Sequence, residues 1–271
     1  MNPVRTTFTL YIRNLKQYRR LPAVLAFSFV VPILQYLLFS NLFTSLSDVP
    51  GNPYAVHPYY LYITPAIILL TATFGSVNSS AALLMDLNTG YFEKLRATPA
   101  GLVPQLAARF MSEYTRLVFQ ILLIITVSML YHRYMSGEFY TLPSGILGLV
   151  LMALLAATFG IGIVGNLVVA LAFKTKSEQA VQAVFPLFFF VVFMSTAYVP
   201  EPLLPEWLQS IVVYNPCEHV LDAIRSIFTG ILSGEFQFTR NNKNDFNIVF
   251  RSALYDWDWK RLDIRNVENN V

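Results

Sequence analysis

Residues 145–173 read GILGLVLMALLAATFGIGIVGNLVVALAF, without one ionisable side chain. About 20 apolar residues in a helix cross the roughly 30 Å of bilayer hydrocarbon, at about 1.5 Å per residue. This run is long enough to cross, and it has company. Comparable runs occupy residues 21–43, 59–84, 114–131 and 180–199. Hydrophobic residues make up 55% of the 271 and charged residues 13%, about half of the roughly 25% usual in soluble domains. The fold class is therefore all-α and integral to the membrane, with five clear transmembrane helices. Pro32, Pro65 and Pro186 fall inside the runs. In lipid, neighbouring helices satisfy the carbonyls that proline frees. Arg116 stands at the edge of its run, from which it is expected to snorkel to the interface.

The loops orient the runs. Residues 1–20 hold Arg5, Arg13, Lys16, Arg19 and Arg20 and no acid. The 44–58 loop has no Lys or Arg, and the 85–113 loop carries Lys94, Arg96 and Arg109. The 132–144 loop has only Arg133, and Lys174 and Lys176 follow the fourth run. Basic loops alternate with poor ones, which places the N-terminus in the cytoplasm. The first run follows a long basic flank and suits a retained anchor better than a cleaved signal peptide. The net charge of +3 is small and its cations sit beside apolar runs, so the expected partner is membrane lipid and not nucleic acid.

Val4, Phe8, Tyr11, Leu15 and Tyr18 form an apolar stripe at heptad spacing, while Arg5, Arg13, Lys16 and Arg20 project to another sector. Residues 1–20 are accordingly expected to form an amphipathic interfacial helix. Beyond the fifth run, Pro200, Pro202 and Pro205 break the chain before a short helix from Glu206 to Tyr214. Asn215-Pro216-Cys217-Glu218 then reads as an N-cap, a proline at the first helical position and a capping-box acid. Leu221, Ile224 and Phe228 share the face that follows. Residues 233–271 contain no spanning run, because Arg240, Lys243, Asp245, Arg251, Asp256 and Asp258 interrupt every window. A membrane domain over 1–232 and a polar, non-spanning C-terminal tail over 233–271 follow.

Several local patterns carry little chemistry. Gly160-Ile161-Gly162-Ile163-Val164-Gly165 matches a dinucleotide fingerprint but lies in an apolar run with no preceding strand. Small residues that let two helices approach closely are the better reading. Asn78-Ser79-Ser80 is a sequon inside the second run, where hydrogen bonding between helices is expected instead. His57, His132 and His219 are isolated, and Cys217 is the single cysteine, so neither a metal site nor a disulfide is expected. There is no Walker motif, hence no cofactor in this chain. Within the runs the polar residues are mainly Gln35, Asn78, Gln120 and Asn166. None titrates, which weighs against a proton-coupled secondary transporter.

The informative segment is Asp86-Leu87-Asn88-Thr89-Gly90-Tyr91-Phe92-Glu93-Lys94-Leu95-Arg96-Ala97-Thr98-Pro99. Physically it reads as a short helix with Phe92 and Leu95 toward the membrane and Glu93, Lys94 and Arg96 toward water. Pro99 and Gly101 stop it. A solvated connector between two runs would read the same way. The segment resembles the signature of type-2 ABC exporter permeases, of the drug-resistance (daunorubicin-type) and polysaccharide or lipid export branches. In that signature an acid is followed after three residues by Gly-x-hydrophobic-Glu-x-Leu-x-x-Thr-Pro. Asp86, Gly90, Phe92, Glu93, Leu95, Thr98 and Pro99 fill it here. The basic N-terminus and the Asn215-Pro216…Asp222-Ala223-Ile224-Arg225 element match the same family, over about residues 5–230.

The resemblance implies a transmembrane subunit moving an amphipathic, lipid-linked or drug-like substrate across the plasma (inner) membrane. It implies that residues 90–98, within the cytoplasmic loop 86–101, form a coupling helix docked on a separate ABC ATPase subunit. ATP and Mg would reside on that partner. Residues 200–232, with Asn215, Pro216, Glu218, Asp222 and Arg225, would form an external re-entrant segment of short helices. A second copy of the chain or a sister permease would complete the route. The family also has a sixth span, which 233–271 does not supply; the alternatives are that the tail is external, that 217–232 crosses as an unusually short segment, or that the gene product is truncated or frame-altered. The rival expectations are a facilitator or secondary transporter without ATP coupling, and a membrane scaffold of a larger assembly.

Overall fold

The computed structural model describes residues 3–20, 22–44, 58–88, 103–175 and 177–229. Every regular element among them is helical: α1 (Pro3–Arg20), α2 (Pro22–Leu42), α3 (Tyr59–Asn88), α4 (Val103–Ser136), α5 (Gly145–Thr158), a π-helical turn (Phe159–Gly165), α6 (Asn166–Thr175), α7 (Glu178–Phe193), a 3₁₀ turn (Glu201–Leu203), α8 (Glu206–Val212) and α9 (Pro216–Thr229). Among the described residues, three segments are long and apolar enough to cross a membrane: Tyr59–Val77, Val103–Ser136 and Gly145–Leu171. Ala26–Leu42 and Gln179–Phe193 are shorter apolar helices.

The centre of the bundle is α3. Residues 59–73 are buried without interruption, and the helix packs against α2, α4, the π turn, α6, α7 and α9. Its first four turns are apolar on every side, the pattern of a helix enclosed by others. Lipid tails are as apolar as leucine, so what selects partners here is fit and polar pairing rather than hydrophobicity. Tyr36 Oη donates to Ser128 Oγ at 3.2 Å, and Ser128 meets Thr64 at 2.7 Å. These three side chains link α2, α4 and α3 at one level of the core.

Close approach is set by glycine. A Cβ on Gly160 would lie 2.5 Å from the Ala72 carbonyl oxygen and 2.9 Å from Ser76 Oγ, so the π turn rests on the backbone of α3. The glycine-rich run is thus a helix-contact surface, as its composition implies. Its π geometry was not legible in the sequence. Such i→i+5 turns arise as local insertions within α-helices. Asn166 Nδ2 donates to the Gly162 carbonyl at 2.8 Å, at the end of this turn.

Two boundaries and one helix face differ from expectation. The third apolar run is one part of α4, which starts at Val103 and has 34 residues, or about 50 Å of helix. Gln105, Ser112 and Glu113 lower the hydropathy there, yet all three are buried against neighbours, so the helix extends well before 114. The fifth run ends as helix at Phe193, and turns follow through 199. Finally, the stripe on α1 does not face lipid along its length. Tyr11 Oη meets Thr115 Oγ1 at 3.0 Å, and Tyr18 Oη donates to Glu113. The stripe is largely a seam onto α4, and only Val4 and Phe8 at its start stay well exposed.

Candidate functional site

Two buried polar clusters stand at opposite ends of the bundle. The first fastens α9 to the end of α7. Helix α7 stops at Phe193, and the last carbonyls of a helix have no partner within it. Asn215 Nδ2 supplies donors to Val191 O at 2.6 Å and Met194 O at 2.8 Å. Its Oδ1 accepts from Cys217 N–H at 2.9 Å, so Asn215 also caps α9, whose first residue is Pro216.

Glu218 does not close a capping box. Its carboxylate accepts from Thr196 N–H at 2.7 Å and from Thr196 Oγ1 at 2.5 Å, while Asn215 N–H donates to Val212 O. The tertiary contact wins because a buried carboxylate needs several donors to replace its hydration. Arg225 approaches the same threonine, donating from Nη1 to Oγ1 at 3.0 Å and from Nη2 to the carbonyl at 3.1 Å. Its guanidinium lies 4.3 Å from the centre of the Tyr62 ring, and Asp222 approaches Nη1 at 3.5 Å. Tyr62 Oη donates to the same Thr196 carbonyl. Glu218 and Arg225 are 6% and 3% exposed, so the opposite charges are held together through one threonine, away from water.

The sequence brought Asn215, Pro216, Glu218, Asp222 and Arg225 forward, and the structure gathers them at one place. It did not bring forward Thr196 or Tyr62, which lie in apolar runs and carry no spacing signal. Cys217 is buried beside the cluster, and its thiol is pushed up to about 12 by burial and by the neighbouring Glu218 charge. At neutral pH it stays a thiol, shielded from alkylating reagents.

The second cluster ties α1, α2 and α3 to α4. Arg116 Nε donates to Glu113 Oε2 at 3.0 Å, Nη2 to Gly75 O at 3.1 Å and Nη1 to Gln120 Oε1 at 3.3 Å. Gln120 Nε2 passes the chain on to Ser28 O. Arg116 therefore does not snorkel; with Glu113 it forms a pair whose side chains are 10% and 11% exposed. A group that finds carboxylate, carbonyl and amide acceptors within reach gains more inside than at the interface. The phenol of Tyr18 is pushed above its usual range, first by burial and then by the Glu113 charge. Nearby, Arg109 Nη2 donates to Ser79 O at 3.3 Å. Tyr18→Phe is expected to cost about 1–2 kcal/mol and to speed amide hydrogen exchange across residues 3–20. Unchanged exchange would show that apolar contacts alone hold α1.

Of the 86–99 signature, Asp86 lies in the last turn of α3. Gly90, Phe92, Glu93, Lys94, Leu95, Arg96, Thr98 and Pro99 lie outside the described residues. The helices that the signature joins are described, and the Arg109 to Ser79 bond places their adjoining ends together at the α1 end of the bundle. Among the described residues, no three His, Cys, Asp or Glu side chains group to hold a metal ion.

Long apolar helices around a buried centre, with polar pairs closing both ends, define a polytopic membrane protein, and comparison with known families gives its class. Residues 5–229 match the ABC-2 type transporter family, to which the chain belongs. It is a transmembrane subunit of an ABC transporter and not itself an enzyme; the ATPase is a separate subunit. The chain is 27% identical over 231 residues to the transport permease ycf38 of Cyanophora paradoxa, covering 83% of this chain and 75% of that protein. It is 24% identical over 230 residues to the daunorubicin resistance ABC transporter permease DrrB1 of Streptomyces coeruleorubidus, covering 84% and 76%.

Proposed function

We propose that the chain is the permease of an ATP-driven exporter for an amphipathic, lipid-linked or drug-like substrate, set in the plasma (inner) membrane with its N-terminus cytoplasmic. The observation that supports this reading is where the helices flanking the signature meet: Arg109 of α4 bonds to Ser79 of α3, and Tyr18 of the basic helix α1 bonds to Glu113 close by. A motor gripping residues 90–98 would therefore act on the most enclosed helix of the bundle and on the longest. Phe92 and Leu95 seat the coupling helix, and Glu93, Lys94 and Arg96 make the polar contacts to the ATPase, which carries ATP and Mg. The chain has five spans, α2, α3, α4, α5 with α6, and α7, and α8 and α9 form the external re-entrant segment.

The buried carboxylates Glu113 and Glu218 support this reading over ion coupling. Glu113 is engaged by Arg116, and Glu218 by Thr196. Both side chains are thereby committed to holding helices together. A second copy or a sister permease completes the route, and the exposed aromatic face of α7, with Phe185, Phe189, Phe190 and Phe193, is the surface that would line it.

Transport would alternate between two packings whose balance the motor shifts. Daunorubicin, taken from the name of the DrrB1 relative, is the first probe. With its ATPase co-expressed, the chain is expected to lower cellular daunorubicin, and Glu93→Lys to abolish that efflux while leaving membrane insertion and ATP hydrolysis. Normal efflux by an inserted Glu93→Lys chain would remove the coupling role from 90–98.

A further inference from the structure

We propose that a groove along α4 is a binding site for one acyl chain of an anionic glycerophospholipid, in the leaflet where α1 lies. Met111, Tyr114, Thr115, Val118, Phe119 and Leu122 succeed one another at alternating spacings of three and one and line an open, apolar groove of about 470 Å³. They therefore share one side of the helix. From Met111 to Leu122 the groove descends about 16 Å, close to half of the roughly 30 Å hydrocarbon thickness. It has the depth of a single leaflet.

Both flanks and the upper end are built. Phe119, 63% exposed, meets Phe29 of α2 edge-on at 5.8 Å. On the other side the Tyr114 hydroxyl bonds to Leu154 O at 2.9 Å and Thr158 Oγ1 at 2.5 Å, both on α5. At the top Tyr11 of α1 meets Thr115 Oγ1. Hydroxyls thus gather toward the headgroup end, while Val118, Phe119 and Leu122 below present only carbon. That gradient suits an acyl chain continued by a polar head.

Charge selects the head. Arg5, Arg13 and Lys16 are exposed on α1, and residues 1–20 contain no acid. These cations occupy the sector turned from Tyr11 and Tyr18, about one helix diameter, roughly 10 Å, from the α4 seam. That distance is comparable to the Debye length of about 8–10 Å at physiological salt. They act as a positive field over the mouth of the groove rather than as a clamp, so the preference is for negative charge and is weakened by salt. The proposal depends on neither the ATPase nor the transported molecule.

The test uses the full chain in nanodiscs, with Trp207, Trp257 and Trp259 changed to Phe and a reporter introduced as Phe119→Trp. Phosphatidylglycerol or phosphatidylcholine with brominated chains is titrated in, since bromine quenches indole fluorescence on contact. Phosphatidylglycerol is expected to reach half-quenching at about a fivefold to tenfold lower mole fraction than phosphatidylcholine. The difference should vanish in 1 M salt, at a Debye length of about 3 Å, and in the triple variant R5Q, R13Q, K16Q. An Ile163→Trp reporter, on an exposed face of the π turn, should show no preference. Leu122→Trp provides a second reporter if Phe119→Trp disturbs folding. Equal quenching of the groove reporter by both lipids would reduce the groove to ordinary annular contact and overturn the proposal. A phosphatidylglycerol preference that survives the triple variant would overturn the role of α1.

Discussion

Arg225→Ala is expected to be the most damaging single change outside the coupling segment, at about 3–5 kcal/mol. The side chain is 3% exposed and holds Thr196 through two hydrogen bonds. Removing it leaves the Glu218 carboxylate, 6% exposed, without the cation that shares Thr196 with it. Two readouts check this: a fall in melting temperature in detergent, and new reactivity of Cys217 toward maleimide, since the thiol lies under the same cluster. Arg225→Lys keeps the charge but not the planar fork that grips the threonine, so it is expected to fall between. The pair Glu218→Gln with Arg225→Met should recover much of the loss, because neutralising both partners leaves no buried charge. A melting temperature unchanged by Arg225→Ala would mean that apolar burial of Leu221, Ile224 and Phe228 alone fixes α9.

Gly160→Ala tests the contact between the π turn and α3. The added Cβ would stand 2.5 Å from a backbone oxygen of Ala72, which cannot rotate away as a side-chain tip can. Overpacking of this sort costs about 1–3 kcal/mol, more for a larger side chain. Gly162 lies two residues on, where a Cβ would meet nothing nearer than Thr158 Cγ2 at 3.8 Å. Gly162→Ala should therefore be nearly silent in the same melting assay, or slightly stabilising through the better helix propensity of alanine. Equal effects at both positions would show that the glycines act through backbone freedom and not through close approach.

The long helices were legible because the membrane writes its thickness into the sequence: 145–173 could hardly be read another way. Legibility failed where a polar residue sits inside a helix for a tertiary reason. Gln105 and Glu113 made the start of α4 look like loop, and Arg116 looked like a snorkelling edge residue. Their partners Tyr18 and Gly75 are distant in sequence, and Gln120, one turn on from Arg116, was by itself unremarkable. The i,i+3 spacing of Glu113 and Arg116 was the local signal of an ion pair. The α9 element shows the reverse case. Its residues stood out as a group, but their local capping reading misassigned Glu218, because a helix-start pattern cannot reveal a threonine 22 residues earlier in the chain. The π turn had no signature beyond its glycines.

The central claim is that this permease is driven by a separate ATPase gripping residues 90–98. The most direct measurement is to express the full chain in its own cells, extract it in mild detergent and identify what co-purifies by mass spectrometry. A stoichiometric ABC ATPase is expected, present with the native chain and lost when Glu93 and Arg96 are both charge-reversed. A folded, inserted chain that brings down no ATPase, or one whose ATPase stays bound after both reversals, would contradict the account.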